Sequence, residues 1–239
     1  MGTGGIHLTY THLLFDADDT LFDYPKAESS ALLGTLEYEG LPGTVEVMEA
    51  YQIINQQLWR EFEQGTVTLA SLRTERFARL FTQLGWKTRS EVELISEYYL
   101  DRLGEGHDLI DGAYDICSTL TRSGYRLSII TNGIKKVQTS RIAKSALNGM
   151  FEQIIVSEDT EYQKPHPGIF DYAFSKLGIA DKSQVMIIGD SLTSDMQGGI
   201  NYGIDTCWFN PQGKPNTLGL QPTYQIRSLA EITALVASC

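Results

Sequence analysis

The chain has 239 residues, 42% of them apolar and 21% charged, an ordinary globular composition with room for one sizeable core and a smaller second domain. Lys and Arg number 19 against 30 Asp and Glu, a net charge of −11, which argues against nucleic-acid polymers and anionic membranes as partners. Cys117, Cys207 and Cys239 are too scattered for a disulfide framework or a zinc site, no apolar run approaches the ~18 residues of a membrane span, and the start of the chain lacks a signal-peptide pattern, so a cytoplasmic protein with reduced thiols is expected.

In chain order, Met1-Gly2-Thr3-Gly4-Gly5 reads as a flexible leader, native or added, and stays out of the fold argument. Leu13-Leu14-Phe15 is a short continuous apolar run, which suits a strand covered on both faces. It runs directly into Asp16-Ala17-Asp18-Asp19-Thr20. An acidic turn would explain three crowded carboxylates, but so would a divalent cation that offsets their repulsion. A long helical stretch follows. Ala27–Tyr38 is stopped by Gly40 and Pro42. Val47, Met48, Tyr51, Ile54, Leu58 and Phe62 recur at helical spacing, as do Leu69, Leu72, Phe77, Leu80, Phe81 and Leu84. Ser90 with Glu93 predicts a capping-box start to a fourth helix ending at Leu103. These four helices read as a small bundle rich in aromatic residues, including Trp59, Trp86, Tyr98 and Tyr99, most of them expected in its core.

The pattern then alternates. Strands are expected at 126–130, 153–156, 185–188 and 206–209, and helices at 112–122, 135–147, 167–177, 194–202 and 229–236. Such alternation predicts an α/β fold, a Rossmann-like parallel sheet covered by helices on both faces. The first strand has to join that sheet. Residues 6–24 and 108–239 therefore form the α/β core domain, and 25–107 is an inserted helical-bundle cap.

Three further strand ends carry chemistry. Thr131-Asn132-Gly133 offers a hydroxyl and backbone donors to a phosphate oxygen, although Asn-Gly alone would suit a plain turn. Lys164 stands between Gln163 and Pro165, and the prolines at 165 and 167 stiffen the backbone that aims its ammonium group. Gly189-Asp190 opens a loop that reaches Asp195, giving two acids at a spacing suited to a hard cation.

Each signal is weak alone. Together, in this order and each at a strand end, they resemble the four motifs of the haloacid dehalogenase-like hydrolase superfamily, with the bundle placed like the first type of cap. The resemblance implies a magnesium-dependent phosphoryl transfer. Asp16 would be the nucleophile that forms an aspartyl-phosphate, and Asp18 the acid and base serving the leaving oxygen and then water. Asp18, Thr131, Asn132 and Lys164 would bind the substrate phosphate, with Thr131 and Lys164 stabilising the transferred group. Mg2+ would take Asp16, the Asp18 backbone carbonyl and Asp190, with Asp195 supporting the metal or Lys164.

Within the superfamily, Asp18 favours phosphate chemistry over dehalogenation, which needs no leaving-group acid. Sugar-phosphate mutases share this acid but usually carry Gly at the next position, where this chain has Asp19. That variant, with the loops 189–195 and 205–211, resembles the bacterial pyrimidine 5′-nucleotidase branch. The expected substrate is a small phosphorylated metabolite, a (deoxy)pyrimidine nucleoside monophosphate whose base an aromatic cap residue could stack on. A broad sugar-phosphate phosphatase, a mutase and a non-catalytic binding protein are the alternatives. Oligomeric state is left open.

Overall fold

The structure, a computed structural model, describes residues 10–237; the leader and Cys239 lie outside them. The chain divides into two compact units. One comprises residues through Asp23, Leu109–Gly133 and the chain from Ser145 on; the other comprises Tyr24–Asp108 and Ile134–Lys144.

The first unit is built on a six-stranded sheet in the order β3-β2-β1-β4-β5-β6, every neighbouring pair parallel. The strands are β1 (His12–Phe15), β2 (Arg126–Thr131), β3 (Ile154–Val156), β4 (Val185–Gly189), β5 (Asp205–Phe209) and β6 (Tyr224–Ile226). All four residues of β1 and all five of β4 are buried, as their unbroken apolar runs require. Side chains alternate across the sheet. Leu14, Ile130, Ile155, Val185 and Ile187 pack on one face against Ile169, Phe170, Ala173 and Phe174 of α7 (Pro167–Leu177) and Tyr202 of α8 (Gln197–Tyr202). Leu13 and Phe15 fall on the opposite face, the side left to α5 (Ala113–Arg122) and α9 (Ile232–Ala237), which pack together. Complete burial of side chains such as Leu13 and Leu14 contributes about 1.5–3 kcal/mol each. The strand order reverses beside β1, whose neighbours are β2 and β4, and such switch points are where open α/β sheets bind ligands, at the strands' carboxyl ends.

The second unit comprises α1 (Tyr24–Glu39), α2 (Val45–Glu63), α3 (Leu69–Leu84), α4 (Val92–Leu103) and α6 (Lys135–Lys144). Its core gathers Leu32, Leu36, Tyr51, Leu58, Leu72, Phe77, Leu80 and Leu100 from the helical stripes. Tyr99 is fully buried there, its ring edge-on to Phe77 at 5.2 Å. Trp59 and Trp86 are half-buried against the same cluster. Tyr98 instead stacks at 4.4 Å on the exposed Tyr38.

Four local expectations change. The Ser90–Glu93 capping box does not form: α4 starts after Glu91, which makes no side-chain cap hydrogen bond. The N–H groups of Arg89 and Ser90 are taken by Glu39 Oε2 at 2.8 and 3.2 Å, so a carboxylate from α1, fifty residues away, displaces the local cap. The helix expected at 135–147 stops at Lys144, where Ser145–Met150 turn. The one expected at 194–202 begins as a π-helical turn, Leu192–Met196, before α8. Strand β6 was not legible, because three residues after a Pro/Gly-rich loop carry no period.

Candidate active site

β1 delivers Asp16, whose N–H donates to the Ile188 carbonyl of β4 at 2.9 Å. The chain then turns tightly. The Leu21 and Phe22 N–H groups return to the Ala17 carbonyl, and Asp19 takes a left-handed φ of 59°, a strained conformation for a residue other than glycine. Asp18 lies in this turn, half-buried and bridged to Phe22.

The centre is an ion cluster. Lys164 Nζ donates to Asp16 Oδ1 at 2.7 Å, to Asp195 Oδ1 at 2.6 Å and to the Ile130 carbonyl at 2.8 Å. Its side chain is 1% exposed and that of Asp195 wholly buried, so neither charge is tolerable without the other. Asp195 has its second oxygen committed as well, accepting the Ser191 N–H at 3.0 Å. Gly189 makes this fit possible: a Cβ there would lie 2.2 Å from Asp195 Oδ2. Asp190 follows the end of β4, and its backbone carbonyl accepts the Trp208 indole N–H at 2.9 Å. Asp16, Asp190 and Asp195 each present one carboxylate oxygen, all within 4.8 Å of one another.

The second strand end supports this cluster. Thr131, 1% exposed, accepts the Gly133 N–H on its hydroxyl at 3.0 Å and keeps its own O–H to donate. The Asn132 side chain is committed to the Lys164 backbone, pairing with its carbonyl and its N–H, each at 2.8 Å. Of the expected residues, Asp16, Lys164, Asp190 and Asp195 thus meet in one cluster, Asn132 holds the lysine from behind, Thr131 ends the strand beside Ile130, and Asp18 lies two residues along. Sequence reading missed Trp208, whose relation to Asp190 depends on the β4–β5 register pairing Gly189 with Trp208.

Electrostatics follow from this crowding. Burial, then the neighbouring Asp195 and Asp18, push Asp16 up to about 8 against the pull of Lys164. Burial and the charges of Asp16, Asp195 and Asp19 raise Asp190 well above the carboxylate range. Burial disfavours the Lys164 ammonium, but Asp16 and Asp195 more than compensate and raise its pKa. Ionising all the carboxylates of the cluster together therefore needs more positive charge than one lysine supplies, which is the condition for recruiting a cation.

Residues 13–209 match the family model described as haloacid dehalogenase-like hydrolase. The chain belongs to that family, and is an enzyme of the hydrolase class. It is 42% identical to the HAD-hydrolase YfnB of Bacillus subtilis over 93% of this chain and 94% of YfnB. It is 35% identical to the pyrimidine 5′-nucleotidase PynA of Streptococcus pneumoniae over 93% of each chain, and 32% identical to the pyrimidine 5′-nucleotidase YjjG of Escherichia coli over 94% of this chain and 96% of YjjG. A crystal structure of YfnB, described as bound to magnesium and as revealing interdomain movement, superposes with a TM-score of 0.88, covering 95% of this chain and 98% of that one at 41% identity. No helix among the described residues is long and apolar enough to cross a membrane.

Proposed function

We propose that the protein is a magnesium-dependent phosphatase that forms an aspartyl-phosphate on Asp16 and acts on (deoxy)pyrimidine nucleoside 5′-monophosphates. The observation that carries this reading is the single buried lysine shared by Asp16 and Asp195, with Asp190 beside them. It supplies a nucleophile, a fixed cation and a metal-competent acid at one strand switch point.

The donor set fits a small hard cation, since three carboxylate oxygens lie within 4.8 Å of one another and no soft ligand is among them. Asp16, Asp190 and the Asp18 backbone carbonyl would hold Mg2+, with Asp195 in support, and the ion would offset charge on the phosphoryl oxygens. The chain's own residues then divide the work. The Asp16 carboxylate attacks phosphorus and the ester P–O bond breaks, while Asp18 protonates the leaving oxygen. Asp18 next takes a proton from the water that attacks the aspartyl-phosphate, releasing inorganic phosphate and restoring Asp16. Lys164 and Thr131 meet the charge on the transferred group, as phosphoryl transfer demands positioning and charge compensation above all.

Residues 25–107 are read as a cap that selects the substrate and closes during transfer. The interdomain movement described for YfnB supports a mobile second domain. The nucleotide substrate is supported by PynA and YjjG, both pyrimidine 5′-nucleotidases matched along more than nine-tenths of their length. Tyr99 is sealed in the bundle core, so the ring that stacks on a base has to be another of the cap's aromatic residues.

Catalytic efficiency on uridine, thymidine and deoxyuridine monophosphates should exceed that on ribose 5-phosphate by at least about tenfold, with free phosphate as the product. Equal efficiency on ribose 5-phosphate would mean that the base contributes nothing and that the enzyme is a general sugar-phosphate phosphatase. Formation of an isomer without phosphate release would make it a mutase.

A further inference from the structure

The loop after β5 repeats a construction already met at Lys164. Asn132, directly after β2, closes on both backbone groups of Lys164, which precedes Pro165. Asn210, directly after β5, does the same to Lys214, which precedes Pro215: its Nδ2 donates to the Lys214 carbonyl at 2.9 Å, and its Oδ1 accepts the Lys214 N–H at 2.8 Å. Asn210 is 2% exposed, so this clamp is part of the folded core, whereas Lys214 is exposed. The strand that carries the clamp is tied to the ion cluster, because Trp208 pairs in register with Gly189 and bonds the Asp190 carbonyl. The charge of Lys214 acts on the Asp190 carboxylate in opposition to those of Asp16, Asp195 and Asp19.

Charge balance says what such a cation is for. With a divalent cation bound, Asp16, Asp190 and Asp195 are all ionised, three negative charges against the one positive charge of Lys164. A divalent cation brings these groups into balance, and a phosphate dianion then arrives with no counter-charge left among them. We propose that Lys214 is a substrate-binding residue, a solvent-side cation positioned by Asn210 to receive the phosphate group of the monoester that the buried Lys164 and the metal engage from within. This rests on the phosphatase reading above.

The test uses the full-length, magnesium-loaded protein with an aryl phosphate and with inorganic phosphate. Lys214→Gln should raise KM and the dissociation constant of inorganic phosphate about tenfold, the loss of one charge-assisted contact, with kcat within about twofold of wild type. Its Mg2+ affinity should be unchanged or tighter, because a positive charge near Asp190 has gone. Lys214→Arg should restore most of the phosphate affinity. A lysine that merely shapes the loop predicts the reverse: weaker Mg2+ binding, loss in kcat and no rescue by arginine. That pattern, or unchanged phosphate affinity in Lys214→Gln, overturns the proposal. Calorimetric binding of inorganic phosphate decides the matter even if wild type turns over no monoester, so this inference and the phosphatase reading fail separately.

Discussion

The Asn132 side chain closes on both hydrogen-bonding groups of the Lys164 backbone, donating to its carbonyl and accepting its N–H at 2.8 Å each, across 32 residues of sequence. The ammonium of Lys164 is therefore aimed by a clamp that touches neither Asp16 nor Asp195. Asn132→Ala should lower kcat about 10–100-fold, as losing the support of a catalytic group does, while the melting temperature falls by only a few degrees. Wild-type turnover in a correctly folded Asn132→Ala protein would show that the ion pairs alone hold the lysine.

Asp16→Asn keeps the shape and removes the attacking charge. Phosphate release should fall by about three orders of magnitude or more, with mass spectrometry confirming that the asparagine has not deamidated. Asp18→Asn should be nearly as slow, but a phosphorylated enzyme should accumulate, because water activation is its second task. Absence of that adduct on rapid acid quenching would remove Asp18 from the second step.

Chelation should abolish activity and Mg2+ restore it. Asp195 has one oxygen on Lys164 and the other on the Ser191 N–H, so it has little left to give a metal. Asp190→Ala should accordingly raise the Mg2+ dissociation constant more than Asp195→Ala, by about tenfold or more, in a calorimetric titration. The opposite order would exchange the two roles.

Gly189→Ala places a methyl group 2.2 Å from Asp195 Oδ2 and 2.3 Å from its Cγ. Asp195 is wholly buried and held at both oxygens, so it cannot move aside without breaking a bond to Lys164 or Ser191. Destabilisation of about 1–3 kcal/mol is expected by chemical denaturation, together with a loss of turnover larger than that of any surface alanine.

Acid stability of the helical unit should depend on Glu39. Burial works against its charge, but hydrogen bonds from Ser90 and Arg89 overcome that and hold its pKa below 4.5. A lowered folded-state pKa means stability present above the unfolded value and lost as pH falls through it. Glu39→Gln should cost about 1 kcal/mol at pH 7. The gap between variant and wild type should narrow as pH falls below 4.5, in denaturant titrations at a series of pH values. A gap independent of pH would assign the effect to packing.

The sequence by itself determined most of the elements, β6 excepted, and the order of the chemistry. Unbroken apolar runs such as Leu13–Phe15 and Val185–Ile188 read as strands buried on both sides, and the 3.6-residue stripes of 45–62 and 69–84 as amphipathic helices, because burial of apolar surface dominates local choice. The motif residues were legible only as a set: Asp16, Thr131-Asn132 and Asp190 follow apolar strands, Lys164 precedes a proline-started helix, and that order resembles the motifs of one superfamily. Tertiary structure alone decided which of them touch. Lys164 meets Asp16 across 148 residues and Asp195 across 31, Glu39 displaces the cap that the pattern at Ser90 and Glu93 predicts, and Trp208 reaches Asp190 only because β5 pairs with β4 in one register. Contacts of this kind depend on where the sheet order places strand ends, and a local period carries no information about partners so far away in the chain.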